Sequence, residues 1–210
     1  MKLYTFPVAP NPTRVRLYLA EKRMAGGVVP VEEVAVDLRE GQQRSPEHLA
    51  RNPQGKLPVL EVEEGRYLTE SLPIVLYLEE LFPDPSMIGR TPLERAETLN
   101  VERIVEMGVL LPIGRIVHAT RSPLGRPPNP AIAEAFREGL PAAFRLLDER
   151  LSDGRPFLMG DRPTIADCTL QAGLQFGRFG EIELDPEFAH LGRWNAAFRD
   201  RPSSREVLLV

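Results

Sequence analysis

The stretch FPDPSMIGR, residues 82–90, separates two parts of the chain whose apolar residues obey different periods. Before it the period changes every few residues. After it the pattern is helical throughout, with no convincing strand. A chain built this way excludes a single uniform bundle or sandwich. It predicts a small mixed α/β domain over residues 1–82, a linker over 83–90 and an all-helical domain over 91–210.

Within the first part, Lys2 to Phe6 reads as a short strand. Asn11 and Pro12 read as the N-cap and first residue of a helix running through TRVRLYLAEKRM. That helix carries apolar residues on more than one face and is expected to be largely buried. Gly26-Gly27 stops it, and VVPVEEVAV predicts a second strand. Ser45-Pro46 opens a short helix, LPVLEV and RYLT form two strands joined by the turn EEG, and a helix follows from Ser71 to about Phe82. The order β-α-β, α, β-β-α predicts a small mixed sheet with helices on both faces.

In the second part, Thr91-Pro92-Leu93-Glu94 is a capping-box pattern that starts a long helix, and Pro112 is expected to kink it. Asn129-Pro130 begins another helix along Ile132, Phe136, Leu140, Phe144, Leu147 and Leu151, bent at Pro141. Thr164 and Asp167 form a T-x-x-D variant of the capping box, with a structural role.

Composition removes several classes of function. One cysteine and three histidines cannot supply a four-ligand zinc site, so no metal is expected, and a lone cysteine suits a reducing compartment. The net charge of -4 gives no footprint for nucleic acid or an anionic membrane. The start MKLYTFPVAPNPTRVR has Pro and Arg where a signal peptide needs an apolar run, and no run is long enough to span a membrane. A cytoplasmic location is expected.

Three clusters at predicted strand ends carry chemistry. In Gly55-Lys56-Leu57-Pro58, a cis proline would leave the Leu57 N–H and C=O free to pair with an extended peptide; otherwise Pro58 simply begins an edge strand. In Thr69-Glu70-Ser71, a helix N-terminus, a hydroxyl and a carboxylate together would grip an α-amino acid, or Ser71 only caps its helix. The Asn11 amide either donates to an anion over the helix start, where a thiol pKa falls below its usual ~8.5, or serves as a cap.

On the segments NPTRVRLYLAEK, NPQGKLPVLEVEEGRYLTESLPIVLYLEE and RPTIADCTLQAGLQF the chain resembles the cytosolic glutathione transferases. The resemblance implies a thioredoxin-like α/β N-terminal domain and an all-α C-terminal domain. It also implies a cis Pro58, with the Leu57 backbone on the cysteinyl unit of glutathione, Glu70 and Ser71 on its γ-glutamyl group, and Gln43 and Lys56 near its glycyl carboxylate. Glutathione would be the co-substrate, without metal, and the protein a homodimer. A hydrophobic electrophile would sit against Met107, Leu111, Arg115 and His118. The chain departs from the family at its activator: Thr5 stands where tyrosine-type members carry a hydroxyl, and Ala9 and Pro10 where serine or cysteine types do. The nearest local match is to bacterial Nu-like members, whose Pro-Asn pair corresponds to Pro10-Asn11. Asn11 is therefore the expected thiolate stabiliser and Thr5 the fallback. The implied activity is conjugation of glutathione in detoxification, with glutathione-dependent disulfide reduction or non-catalytic binding of glutathione or hydrophobic ligands as alternatives. Cys168, among apolar neighbours, is expected to be an inert buried thiol.

Overall fold

The structure, a computed structural model, describes residues 1–209. It opens with β1 (Lys2–Thr5), α1 (Pro10–Met24), β2 (Glu32–Ala35), α2 (Pro46–Arg51), β3 (Val59–Glu63), β4 (Arg66–Thr69) and α3 (Ser71–Leu81). The sheet order is β2-β1-β3-β4, with β1 parallel to β2 and antiparallel to β3. This is the mixed sheet expected of a thioredoxin-like half. β2 is shorter than the run 28–36 suggested. It pairs only where β1 offers a partner, from Lys2↔Glu32 to Thr5↔Ala35, and Pro30 has no N–H to extend the ladder.

The start of α1 differs from the expectation. Pro10 is its first residue and Ala9 its N-cap, without a side-chain cap, so Asn11 lies inside the first turn and does not cap the helix. Pro10 and Pro12 both have the φ that a first helical turn requires, and the earlier one starts the helix. The helix is buried as expected: Val15, Leu17, Tyr18, Leu19 and Ala20 are all core residues. It packs against α3 and against two helices of the second part.

That part consists of α4 (Pro92–Val105), α5 (Leu111–Thr120), α6 (Pro130–Arg137), α7 (Leu140–Arg150), α8 (Ile165–Phe179), α9 (Ala189–Arg199) and α10 (Pro202–Val207). Thr91 and Glu94 form the reciprocal capping box, with Glu94 N–H donating to Thr91 Oγ1 at 3.1 Å. The kink expected at Pro112 takes the form of a π-turn over Glu106–Leu110, between α4 and α5. A wider turn just before a proline accommodates its missing N–H. The single helix expected from Asn129 is two. Gly139 separates α6 from α7, and Pro141, unable to bond back to the preceding turn, fits the first turn of a new helix. Ile132, the first residue of that apolar series, is 43% exposed.

One continuous core runs from Leu3 and Leu60 in the sheet through Leu17 of α1 to Phe176 of α8 and Trp194 of α9. The connection between α3 and α4 packs into it. Met87 and Ile88 are buried, Met87 N–H donates to Glu79 Oε2, and Glu79 pairs with the fully buried Lys22 at 2.7 Å. Asp167 is fully buried and accepts from Leu158 N–H, Thr164 N–H, Thr164 Oγ1 and Trp194 Nε1. Those four donors tie the start of α8 to the preceding loop and to α9. Among the described residues no helix is long and apolar enough to cross a membrane.

Candidate active site

The strand register brings the three clusters to one edge. Tyr4 pairs with Val59 and Val59 with Thr69, so Thr5, Pro58 and Glu70 all leave the sheet at the same end. α1 and α3 both begin there, directing two helix N-termini and their partial positive charge to this edge. The Leu57-Pro58 peptide is cis, and the Leu57 N–H and C=O have no hydrogen-bond partner among the described residues.

The loop before Leu57 is held from behind. Asn52 Nδ2 and His48 Nε2 donate to the Lys56 carbonyl at 3.0 and 3.2 Å, and Ser45, which caps α2, receives the His48 N–H. Gly55, at φ +61°, turns the chain where a Cβ would lie 2.9 Å from the Gln43 carbonyl. Gln43 is thus packed beside this loop, nearly buried, with its Oε1 unpartnered, while the Lys56 side chain is exposed.

Glu70 has φ +66°, is exposed and makes no cap to α3. Val8, in the loop leading to α1, has φ +70°. Positive φ in non-glycine residues costs about 1–3 kcal/mol each and gathers at functional positions. Ser71 is the first residue of α3 and fully buried. Its hydroxyl is not a cap: it accepts from Arg14 Nε at 2.6 Å and donates to Asn11 Oδ1 at 3.0 Å. Arg14 Nη2 also reaches Asn11 Oδ1, at 3.4 Å. An arginine only donates, so these contacts turn the Asn11 oxygen inward and leave its Nδ2 directed away from Arg14.

Arg14 is itself anchored on two carboxylates of the α4 region, Glu102 at 2.7 Å and Glu106 at 2.9 Å, with Thr169 Oγ1 donating to Glu102. Burial raises the Glu102 carboxyl to about 6 despite Arg14. Burial also opposes ionisation of Glu106, but Arg14 and Arg103 outweigh it and hold that carboxyl below the usual range. None of Arg14, Glu102 or Glu106 was expected at the site. The available signal was the presence of charged residues, Arg14 among them, on a helix expected to be largely buried, where each needs a partner.

Beside this polar edge lies an apolar cavity of about 510 Å³. The β1–α1 loop forms one wall with Phe6, Val8 and Pro10; Phe176 and Phe179 of α8 form another, their rings stacked 5.8 Å apart. Of the four residues expected to line such a pocket, only His118 does so. Met107, 54% exposed, and Leu111 and Arg115 lie off its wall. The π-turn adds a residue to one helical turn and rotates the faces before and after it by about 100°, which takes Met107 off the His118 face; Leu111 and Arg115 follow the π-turn on α5 with His118, and the cavity touches that helix only at His118. Burial, with Arg126 and Arg115 nearby, lowers the His118 pKa; its Nδ1 is 3.1 Å from Ser122 Oγ.

Thr5 lies at the sheet edge, buried, with its hydroxyl unpartnered. Cys168 is buried in α8, and burial, with Glu21 and Asp167 near, raises its thiol well above the ordinary range. It is far from the behaviour of a reactive thiol. Among the described residues no group of histidine, cysteine and carboxylate side chains has the arrangement of a metal site.

Residues 3–86 match the family described as Glutathione S-transferase, N-terminal domain, and residues 130–170 match Glutathione S-transferase, C-terminal domain. The chain is 31% identical to Glutathione S-transferase 2 of Saccharomyces cerevisiae over all of its own length and 90% of that protein. It is 33% identical to a maleylacetoacetate isomerase of Pseudomonas aeruginosa over 88% of this chain and 85% of that one. Among solved structures, Gtt2 from Saccharomyces cerevisiae superposes with a TM-score of 0.87 at 31% identity, covering 99% of this chain and 100% of that one. A glutathione S-transferase domain-containing protein of Marinobacter aquaeolei gives 0.87 at 35% identity, covering 97% and 100%. With both halves matched and relatives above 30% identity along its full length, the chain belongs to the glutathione S-transferase family.

Proposed function

We propose that the protein binds glutathione along the sheet edge and joins it through its sulfur to a hydrophobic electrophile in the apolar cavity. The observation that carries this reading is the meeting of two unlike surfaces at the β1–α1 loop. Phe6, Val8 and Pro10 wall the cavity, and the same loop ends in the helix start that carries Asn11. In this reading Leu57 pairs with the cysteinyl backbone, Glu70 and the Ser71 turn receive the γ-glutamyl end, and Gln43 and Lys56 lie toward the glycyl carboxylate. Residues 1–82 bind the tripeptide and, through the β1–α1 loop, supply one wall of the electrophile pocket; the helices after the linker supply the facing wall.

The thiol loses its proton, and the sulfur electron pair forms a bond to the electrophile as a leaving group departs or a double bond is opened. Lowering the thiol pKa by two units takes about 2.7 kcal/mol of preferential thiolate stabilisation. One oriented amide donor and a helix N-terminus reach that scale. Asn11 Nδ2 is the proposed donor, a reading supported by the Pro10-Asn11 pair shared with Nu-like members. His118, kept neutral by burial at the cavity wall, supports a role as acceptor of the thiol proton. Arg39 also lines the cavity but is already paired with Asp37 at 2.8 Å. That weighs toward an uncharged electrophile and against the dianion implied by the isomerase relative's name. We further propose a two-fold dimer, which light scattering tests as twice the chain mass of 23.5 kDa.

The ultraviolet difference spectrum of bound glutathione at neutral pH, with a conjugation assay on an activated aryl chloride, tests the function. Thiolate absorbance and conjugate formation are expected. Thiol absorbance without turnover would make the protein a glutathione binder, and turnover only with mixed disulfides would make it a reductase.

A further inference from the structure

A second cavity, of about 320 Å³, lies between α8, α9 and the loop joining them, and shares no lining residue with the apolar one. Its walls are polar and incompletely satisfied. Gln171 of α8 is 99% buried, lines the cavity, and its Oε1 accepts no hydrogen bond among the described residues. Across from it on α9, the Asn195 Oδ1 is likewise buried and unpartnered. Buried amide oxygens without donors are rare, and the missing partners here are N–H or O–H groups.

The charges on the lining are also open. Arg178 and Arg199 line the cavity and make no ion pair among the described residues. Glu183 and Asp185 lie on the same wall, and Asp185 already holds the Glu187 N–H. Two cations, two carboxylates and two open acceptors match a ligand that carries both signs of charge and no net charge. Leu174, Ile182, Leu184 and Phe188 supply an apolar patch between them. The volume is that of about ten waters, ample for an apolar α-amino acid.

We propose that this cavity is a second ligand site that takes a free α-amino acid with an apolar side chain. The ammonium meets the Gln171 and Asn195 oxygens and the acidic wall, the carboxylate meets Arg178 and Arg199, and the side chain meets the leucine and phenylalanine patch.

Calorimetric titration of the full chain with L-leucine, alone and with saturating glutathione, tests this. One site per chain is expected in both conditions. 4-Methylpentanoate and 3-methylbutylamine, which lack one charge each, are expected to bind at least about tenfold more weakly. Gln171→Leu keeps the volume but removes the amide, and is expected to weaken L-leucine binding at least about tenfold. Should that variant fail to fold, Arg199→Met is held to the same criterion. No binding of L-leucine, L-methionine or L-phenylalanine up to ~10 mM means that water alone fills the cavity and overturns the proposal. Binding that glutathione abolishes, or that Gln171→Leu leaves unchanged, overturns it equally.

Discussion

Arg14 Nε donates to Ser71 Oγ at 2.6 Å, and Ser71 Oγ donates in turn to Asn11 Oδ1 at 3.0 Å. A buried arginine on α1 thereby fixes both the first residue of α3 and the amide proposed to face sulfur. Substitutions at the two neighbours Glu70 and Ser71 are therefore expected to behave differently. Glu70 is exposed and caps nothing, so Glu70→Ala should weaken glutathione binding by about 1.5–3 kcal/mol with the unfolding midpoint unchanged. Ser71→Ala should weaken binding and also cost about 1–3 kcal/mol of stability, because Arg14 loses a buried acceptor and Asn11 a buried donor. Calorimetry beside urea denaturation separates the two effects. Equal stability losses, or unchanged affinity in both, would remove the γ-glutamyl assignment.

Glu102 depends on Arg14 more than on any other group. Arg14→Met should cost about 3–5 kcal/mol, since it leaves Glu102 fully buried without its cation, so that the carboxyl must either stay charged there or take up a proton. Adding Glu102→Gln should recover part of that loss, and a double-mutant cycle should show a coupling of about 1–3 kcal/mol. Additive losses would mean that the pair does not interact as the 2.7 Å contact requires.

Much of this architecture was legible in the sequence because its signals are local. Ser45, Thr91 and Asn129 cap the helices they announce, and the turn at Gly65 sets the register that aligns Pro58 with Glu70. What was hidden depends on contacts distant in sequence or on a change of period. Two prolines two residues apart, Pro10 and Pro12, gave equal signals for the start of α1. The π-turn carries no apolar signature of its own, so Met107 read as one face with His118 when it is not, and nothing local shows that the cavity reaches α5 only at His118, one and two turns beyond Arg115 and Leu111. Arg14 meets Glu102 and Glu106 across about ninety residues, and no local pattern pairs them.

His118 sets an expected pH dependence of stability. Its pKa is lowered in the folded protein, chiefly by burial, so below the ordinary value of about 6.5 the unfolded chain binds a proton that the folded chain does not. Its contribution is present above 6.5 and is lost as pH falls through the folded pKa. His118→Gln should flatten this part of the stability curve as pH falls below ~6.5. An unchanged slope, read by denaturant titration at each pH, would place the imidazole in solvent.

The role of Asn11 is tested by reversing what its side chain offers while preserving what holds it. Its oxygen accepts from Arg14 and Ser71, and a carboxylate accepts from both more strongly. Asn11→Asp also puts a negative charge in the first turn of α1, where the helix dipole favours it. The variant should therefore be as stable as the parent or more so. Its effect on sulfur should be the opposite: the Nδ2 donor is gone and an anion stands near the thiolate, so the pKa of bound glutathione should rise and turnover fall by about ten- to a thousandfold. Raised stability with lost turnover is a combination that a purely structural Asn11 does not produce. If turnover and thiol pKa stay unchanged in Asn11→Asp, thiolate stabilisation passes to Thr5, whose buried hydroxyl at the same sheet edge has no partner of its own.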